Sequence, residues 1–129
     1  MGDDIVSSIH SVRLYADSGG ESHMERGPKI ELTSMDFVPP AAPIDVSPIE
    51  PASSYGCLRL PSGWDGDWHP SPKRQWIFFL AGEMEFEVAD GQVHRAGPGS
   101  VRLLEDTTGK GHRSRVVSDT GAVCAAVQL

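Results

Sequence analysis

The chain has 129 residues, with eleven Lys and Arg against eighteen Asp and Glu and a formal charge of −7. That length predicts one domain over residues 1–129 with a modest core, and the scattered basic residues argue against nucleic acid and anionic membranes, both of which are recognised by clustered positive charge. No apolar run approaches the roughly 18 residues of a membrane span, and the start M-G-D-D-I-V lacks a basic-then-apolar leader pattern, so the expected compartment is the cytoplasm.

Fourteen Gly and ten Pro cut the chain into short pieces without sustained helical periodicity, which points to an all-β fold. Residues 9–15 and 29–33 are expected as strands, separated by the turn-rich S-G-G-E-S-H and R-G-P. The stretch 38–51, V-P-P-A-A-P-I-D-V-S-P-I-E-P, loses ladder donors at its prolines and is expected as an extended arm, packed on a surface through Val38, Ile44, Val46 and Ile49. Residues 1–51 are thus early strands and arm, and 52–129 the barrel core.

Within that core, residues 53–60 resume strand character and 63–67 turn. Residues 75–80 are apolar on both faces, with Ile77 and Phe79 on one and Trp76, Phe78 and Leu80 on the other. Such a strand must be covered twice, by the core and by a second layer, either the arm or a partner subunit. Residues 83–88 alternate strictly, Met84, Phe86 and Val88 inward and three glutamates toward water. Asp90-Gly91 signals a hairpin, continued by Val93, with His94 expected outward; strands at 101–104, 113–117 and 122–129 complete a sandwich or barrel. The lone cysteines, Cys57 and Cys124, are expected as buried small hydrophobes rather than a disulfide.

The chemistry concentrates in W-D-G-D-W-H-P-S-P-K-R-Q, ending at Gln75, and E-D-T-T-G-K-G-H, ending at His112. The order of elements brings His69, Gln75 and His112 to one end of a small barrel. Gln75 shares strand parity with Ile77 and Phe79, so it points inward and needs hydrogen-bond partners, whether the two histidines, a ligand or water. Trp64 and Trp68 flank an acidic turn and either stack on a ligand ring or anchor the loop. Arg74, beside Lys73, either binds a ligand carboxylate or phosphate or is a solvated charge. Tyr55 and Arg59 share parity and are candidates for the mouth. Gly109-Lys110-Gly111 lacks the earlier glycine and following helix of a phosphate loop and is expected as a turn that aims His112. No Ser or Cys has a nucleophile context.

These residues resemble the cupin pattern, G-x5-H-x-H-x3–4-E-x6-G followed by a second Gly/Pro-framed motif closing on His. Gly63 precedes His69 by the required spacing, Ser71 stands in the second His slot, Gln75 in the Glu slot, and Gly82 closes the motif; Gly91, Gly97, Pro98 and Gly99 resemble the second frame and His112 its histidine. W-H-P-x-P-x-R-Q with D-T-T-G-K-G-H is similar to a subgroup of small single-domain bacterial cupins. The resemblance implies a cupin double-stranded β-helix, a jelly-roll barrel, here with an extended Pro-rich N-terminal arm. It also implies a divalent transition metal (Fe, Mn, Ni or Zn) held by three His and one Glu, of which His69 and His112 survive by position and Gln75 offers only an amide oxygen. Asp106 or Asp67 adds a carboxylate only if its loop folds inward.

The expected function is therefore binding of a small polar molecule in a pocket lined by His69, Gln75 and His112, with Trp68, Arg74 and Tyr55 at its margin. The alternative is a metal-dependent oxygenase, isomerase or lyase on a small metabolite, with His69 and His112 as ligands and Gln75 as a weak third. The two-sided strand and the arm lead us to expect a homodimer.

Overall fold

The protein was analysed as a computed structural model that describes residues 8–129; the reading of the first residues as leaderless lies outside them. Among the described residues strands alone supply the regular structure: β1 (Ser8–Ile9), β2 (Val12–Ala16), β3 (Ser22–Arg26), β4 (Ile30–Glu31), β5 (Thr33–Met35), β6 (Ile44–Val46), β7 (Ser54–Leu60), β8 (Gln75–Ala81), β9 (Met84–Glu87), β10 (Val93–Ala96), β11 (Val101–Glu105), β12 (Arg113–Val116) and β13 (Ala122–Gln128). Among the described residues no helix is long and apolar enough to cross a membrane.

Six strands form the larger sheet in the order β3-β2-β11-β8-β13-β7, and three form the smaller, β10-β9-β12. The core lies between them. Leu14, Met24, Ile77, Phe79, Leu104 and Cys124 come from the larger sheet, and Met84, Phe86, Ala96 and Val116 from the smaller. Phe79 and Phe86 meet edge to face across the gap at 5.7 Å. Each fully buried aliphatic side chain such as Leu14 stabilises the fold by about 1.5–3 kcal/mol. Arg102 adds a polar tie the sequence did not suggest: it is buried on β11, and its Nη2 donates to the Arg95 carbonyl of β10 at 2.6 Å. Burial lowers the guanidinium pKa.

Most expected strands form, with several corrections. The first splits into β1 and β2, and β3 occupies a stretch read as turn-rich. Pairing with β2 and burial of Ser22 and Met24 override the local turn signals there. Ser22 Oγ donates to the Gly111 carbonyl at 2.6 Å and accepts from the Ala89 N–H at 2.8 Å, so this strand fastens the loop before His112. The arm contains a short strand, β6, paired with β5. His94 is not outward. It lies opposite Phe86, on the core side of β10, and lines a cleft of about 510 Å³ with His10, Val12, Met24 and Gln92. Cys124 is buried, which pushes its thiol pKa up, whereas Cys57 is exposed because β7 is an open edge of the sheet.

Candidate functional site

The site is built where β8 begins, β11 ends and β12 begins. The segment carrying His69 reaches it by running along the free side of β12. Val116 N–H donates to the Trp64 carbonyl at 2.8 Å, and Gly66 N–H to the Ser114 carbonyl at 2.9 Å. His69 and His112 then exchange both backbone hydrogen bonds at 3.0 Å. Antiparallel partners project to the same side, so the two imidazoles come together, centroids 4.9 Å apart and tilted by 55°. Gly111 makes this approach possible. Its φ is +75°, and a Cβ there would overlap the His69 carbonyl. The turn expected to aim His112 does so by being small.

His112 is 4% exposed and packs beside Phe86, ring centroids 5.6 Å apart. Its Nδ1 is 2.6 Å from Oδ2 of Asp106, which is itself fully buried. The alternation of β11 carries Asp106 inward, two residues beyond the core residue Leu104. The condition set for a carboxylate to join, an inward-folding loop, is met at Asp106, but the carboxylate holds the histidine. Asp67 contributes its backbone carbonyl, which accepts from His69 Nδ1 at 2.9 Å, while its side chain is exposed.

These partners fix the tautomers. A carboxylate and a carbonyl only accept, so in its neutral form each histidine carries its proton on Nδ1 and presents an Nε2 lone pair. Gln75 is set by the same reasoning. Ser71 Oγ donates its only proton to the Lys73 carbonyl at 2.7 Å, so it accepts from Gln75 Nε2 at 3.3 Å. That leaves the Gln75 amide oxygen free to accept. Ser71, in the second His slot, is 2% exposed and ties Gln75 to the loop of Asp106 through its N–H, 2.9 Å from the Asp106 carbonyl. One buried acceptor has no partner among the described residues, Oδ1 of Asp106.

Not every candidate joins this group. Trp68 stands at its rim, with Lys110 Nζ 3.9 Å from the ring centroid. Trp64 packs against the core as an anchor. Arg74 points away: it pairs with Glu105, which also holds Arg13. Burial pushes the Glu105 carboxyl up, but the two guanidinium groups prevail and hold it below the usual carboxylate range. Tyr55 is 83% exposed on β7, opposite Val127, away from the histidines. Among the described residues no group of three or more His, Cys, Asp or Glu is arranged to hold a metal ion.

No protein-family model and no curated protein matches the chain. Among solved structures the chain is similar to the cupin domain of Cnp3 from Schizosaccharomyces pombe, with 12% identity, a TM-score of 0.50, and coverage of 97% of this chain and 86% of that one. It also matches protein NMB1881 from Neisseria meningitidis at 21% identity and a TM-score of 0.45, over 58% of this chain and 71% of that chain. The first likeness gives the chain a cupin-like, all-β fold.

Proposed function

We propose that the chain is a cytoplasmic jelly-roll cupin that binds a small polar molecule at His69, Gln75 and His112, and that the molecule is rich in hydrogen-bond donors. The observation that carries this is the one-sided chemistry of the site. Two Nε2 lone pairs and one amide oxygen are left free, and each is held in that state by a partner on its other side. Hydroxyl, amine and ammonium groups match such a surface. A carboxylate or phosphate does not, and Arg74, next to Gln75 in the chain, is engaged by Glu105 while Arg113, next to His112, pairs with Asp65. Discrimination comes from His112 and Gln75, which are buried residues, whereas His69 is exposed and adds less.

The second reading is a metal-dependent oxygenase, isomerase or lyase. One observation favours it: a carboxylate bonded to Nδ1 is the usual support of a metal-ligating histidine, and Asp106 supports His112 that way. The residues fit a metal centre poorly, however. Only two imidazoles are present, Ser71 and Gln75 replace a His and a Glu, and Asp106 is committed to His112.

Chelator-treated protein screened by thermal shift against small polar metabolites separates the readings. The binding reading predicts stabilisation by amines or polyols that survives chelator and is lost in Gln75→Ala. Shifts seen only with added transition metal, or only with organic acids, would refute it.

A further inference from the structure

The cleft of about 510 Å³ beside His94 lies away from the histidine site. β2 runs parallel to β11, and Val12, at the cleft, is the register partner of Arg102, whereas His112 is held by Asp106, beyond the other end of β11. Four residues of strand separate the two ends, roughly 13 Å. Parity decides what faces the cleft. Val12 and Met24 lie on the core side with Leu14, and Arg26 is the register partner of Val12, so it projects to the same side. His94 arrives from β10 and His10 from the chain just before β2. Val12 and Met24 thus supply apolar walls, and Arg26 and two imidazoles supply polar ones. Among the described residues Arg26 makes no ion pair. The one carboxylate at the cleft, Glu25, alternates to the opposite face, where Arg13 holds it at 2.8 Å.

A second positive charge stands behind these groups. Arg102 is 6% exposed, starts beside Val12, and reaches the carbonyl of Arg95, next to His94 in the chain. Its partners are the carbonyls of Val101 and Arg95; no carboxylate pairs with it among the described residues, and its buried Nε has no partner. A guanidinium buried without a counter-charge is costly, and an anion close by offsets part of that cost. We propose that this cleft is a second binding site, which takes a small carboxylate with a short apolar body. The planar fork of Arg26 matches a carboxylate. His10 and His94 offer ring N–H donors to its oxygens, and Val12 and Met24 pack on the apolar end. The volume lies within the range of small-molecule pockets. The preference is the reverse of that at His69, Gln75 and His112, which face donors, so charge sorts ligands between the two sites.

Titration of the full chain with butyrate, followed through the imidazole NMR signals at constant pH and ionic strength, tests this, with sodium chloride and n-butylamine as controls. Butyrate is expected to move the His10 and His94 signals together to saturation and to leave those of His69 and His112 in place. Neither control is expected to move His10 or His94. Arg26 is exposed, so Arg26→Gln is expected to keep the circular dichroism of the wild type and to weaken butyrate binding by about tenfold or more, the loss of one hydrogen bond to a charged group. Signals of His10 and His94 that stay still overturn the proposal. So do shifts that never saturate, that chloride reproduces, or that Arg26→Gln leaves unchanged. The readout lies at His10 and His94, so failure here leaves the donor-binding reading of the other site standing.

Discussion

Replacing Gly111 by Ala is the sharpest probe of how the site is assembled. Two separable costs are expected. The first is backbone strain: φ at Gly111 is +75°, where an L-residue loses about 1–2 kcal/mol. The second is steric. The added Cβ meets the His69 carbonyl, so the two backbone hydrogen bonds between His69 and His112 must open, at about 0.5–1.5 kcal/mol each. Gly91→Ala supplies the reference. Gly91 also has positive φ, at +94°, but nothing lies within 4 Å of its would-be Cβ, so it suffers the first cost alone. Urea unfolding is therefore expected to give a loss of about 1–2 kcal/mol for Gly91→Ala and about 2–5 kcal/mol for Gly111→Ala. The amide protons of His69 and His112 are expected to lose hydrogen-exchange protection only in the latter. Equal losses in the two variants, or protection retained at both amides in Gly111→Ala, would refute the reasoning.

Three further outcomes are expected. Asp106→Ala leaves His112 Nδ1 without its acceptor and costs about 1–3 kcal/mol in urea unfolding; nitrogen NMR of the imidazole is expected to report loss of the single Nδ1–H tautomer. His23 bridges Asp17 and Asp90, 2.8 Å from each, and its bond to Asp17 first, then Asp90, raises its pKa above 6.5. Its contribution is thus complete below 6.5 and fades as pH rises through the higher folded value, so the stability gap between wild type and His23→Gln is expected to narrow from about pH 5.5 to pH 8.5. Glu105 behaves oppositely. Its folded pKa lies below 4.5, so its contribution is present above 4.5 and lost as pH falls through the folded value; Glu105→Gln is expected to cost about 0.5–1 kcal/mol at neutral pH and nothing measurable in strong acid.

The fold was legible where pattern and structure share a cause. Met84, Phe86 and Val88 alternate because one face of β9 packs on the core, and Asp90-Gly91 turns because Gly91 takes positive φ. The parity that sent Gln75 inward holds, and the paired arrival of His69 and His112 was readable from the order of elements. Other features were hidden because they depend on contacts distant in sequence. β3 exists through β2 and through the hydroxyl of Ser22, neither visible in S-G-G-E-S-H. His94 faces inward because its register is set opposite Phe86. Asp106 was named only as a possible ligand; continuing the β11 alternation from Leu104 would have put it at the base of His112. Tyr55 was a candidate by strand parity, which says which residues share a face but not which face looks at the site; Arg74 was left open between a ligand contact and a surface charge, and Glu105 engages it.

The account rests on His69, His112 and Gln75 acting together as acceptors. The most direct test follows the imidazole nitrogens of both histidines and the Gln75 side-chain amide in chelator-treated protein as a stabilising amine or polyol is added. All three sets of signals are predicted to move together and saturate at one ligand concentration, while those of His10 and His94 stay fixed. Signals that stay still, or that move only when a transition metal is supplied, would contradict it.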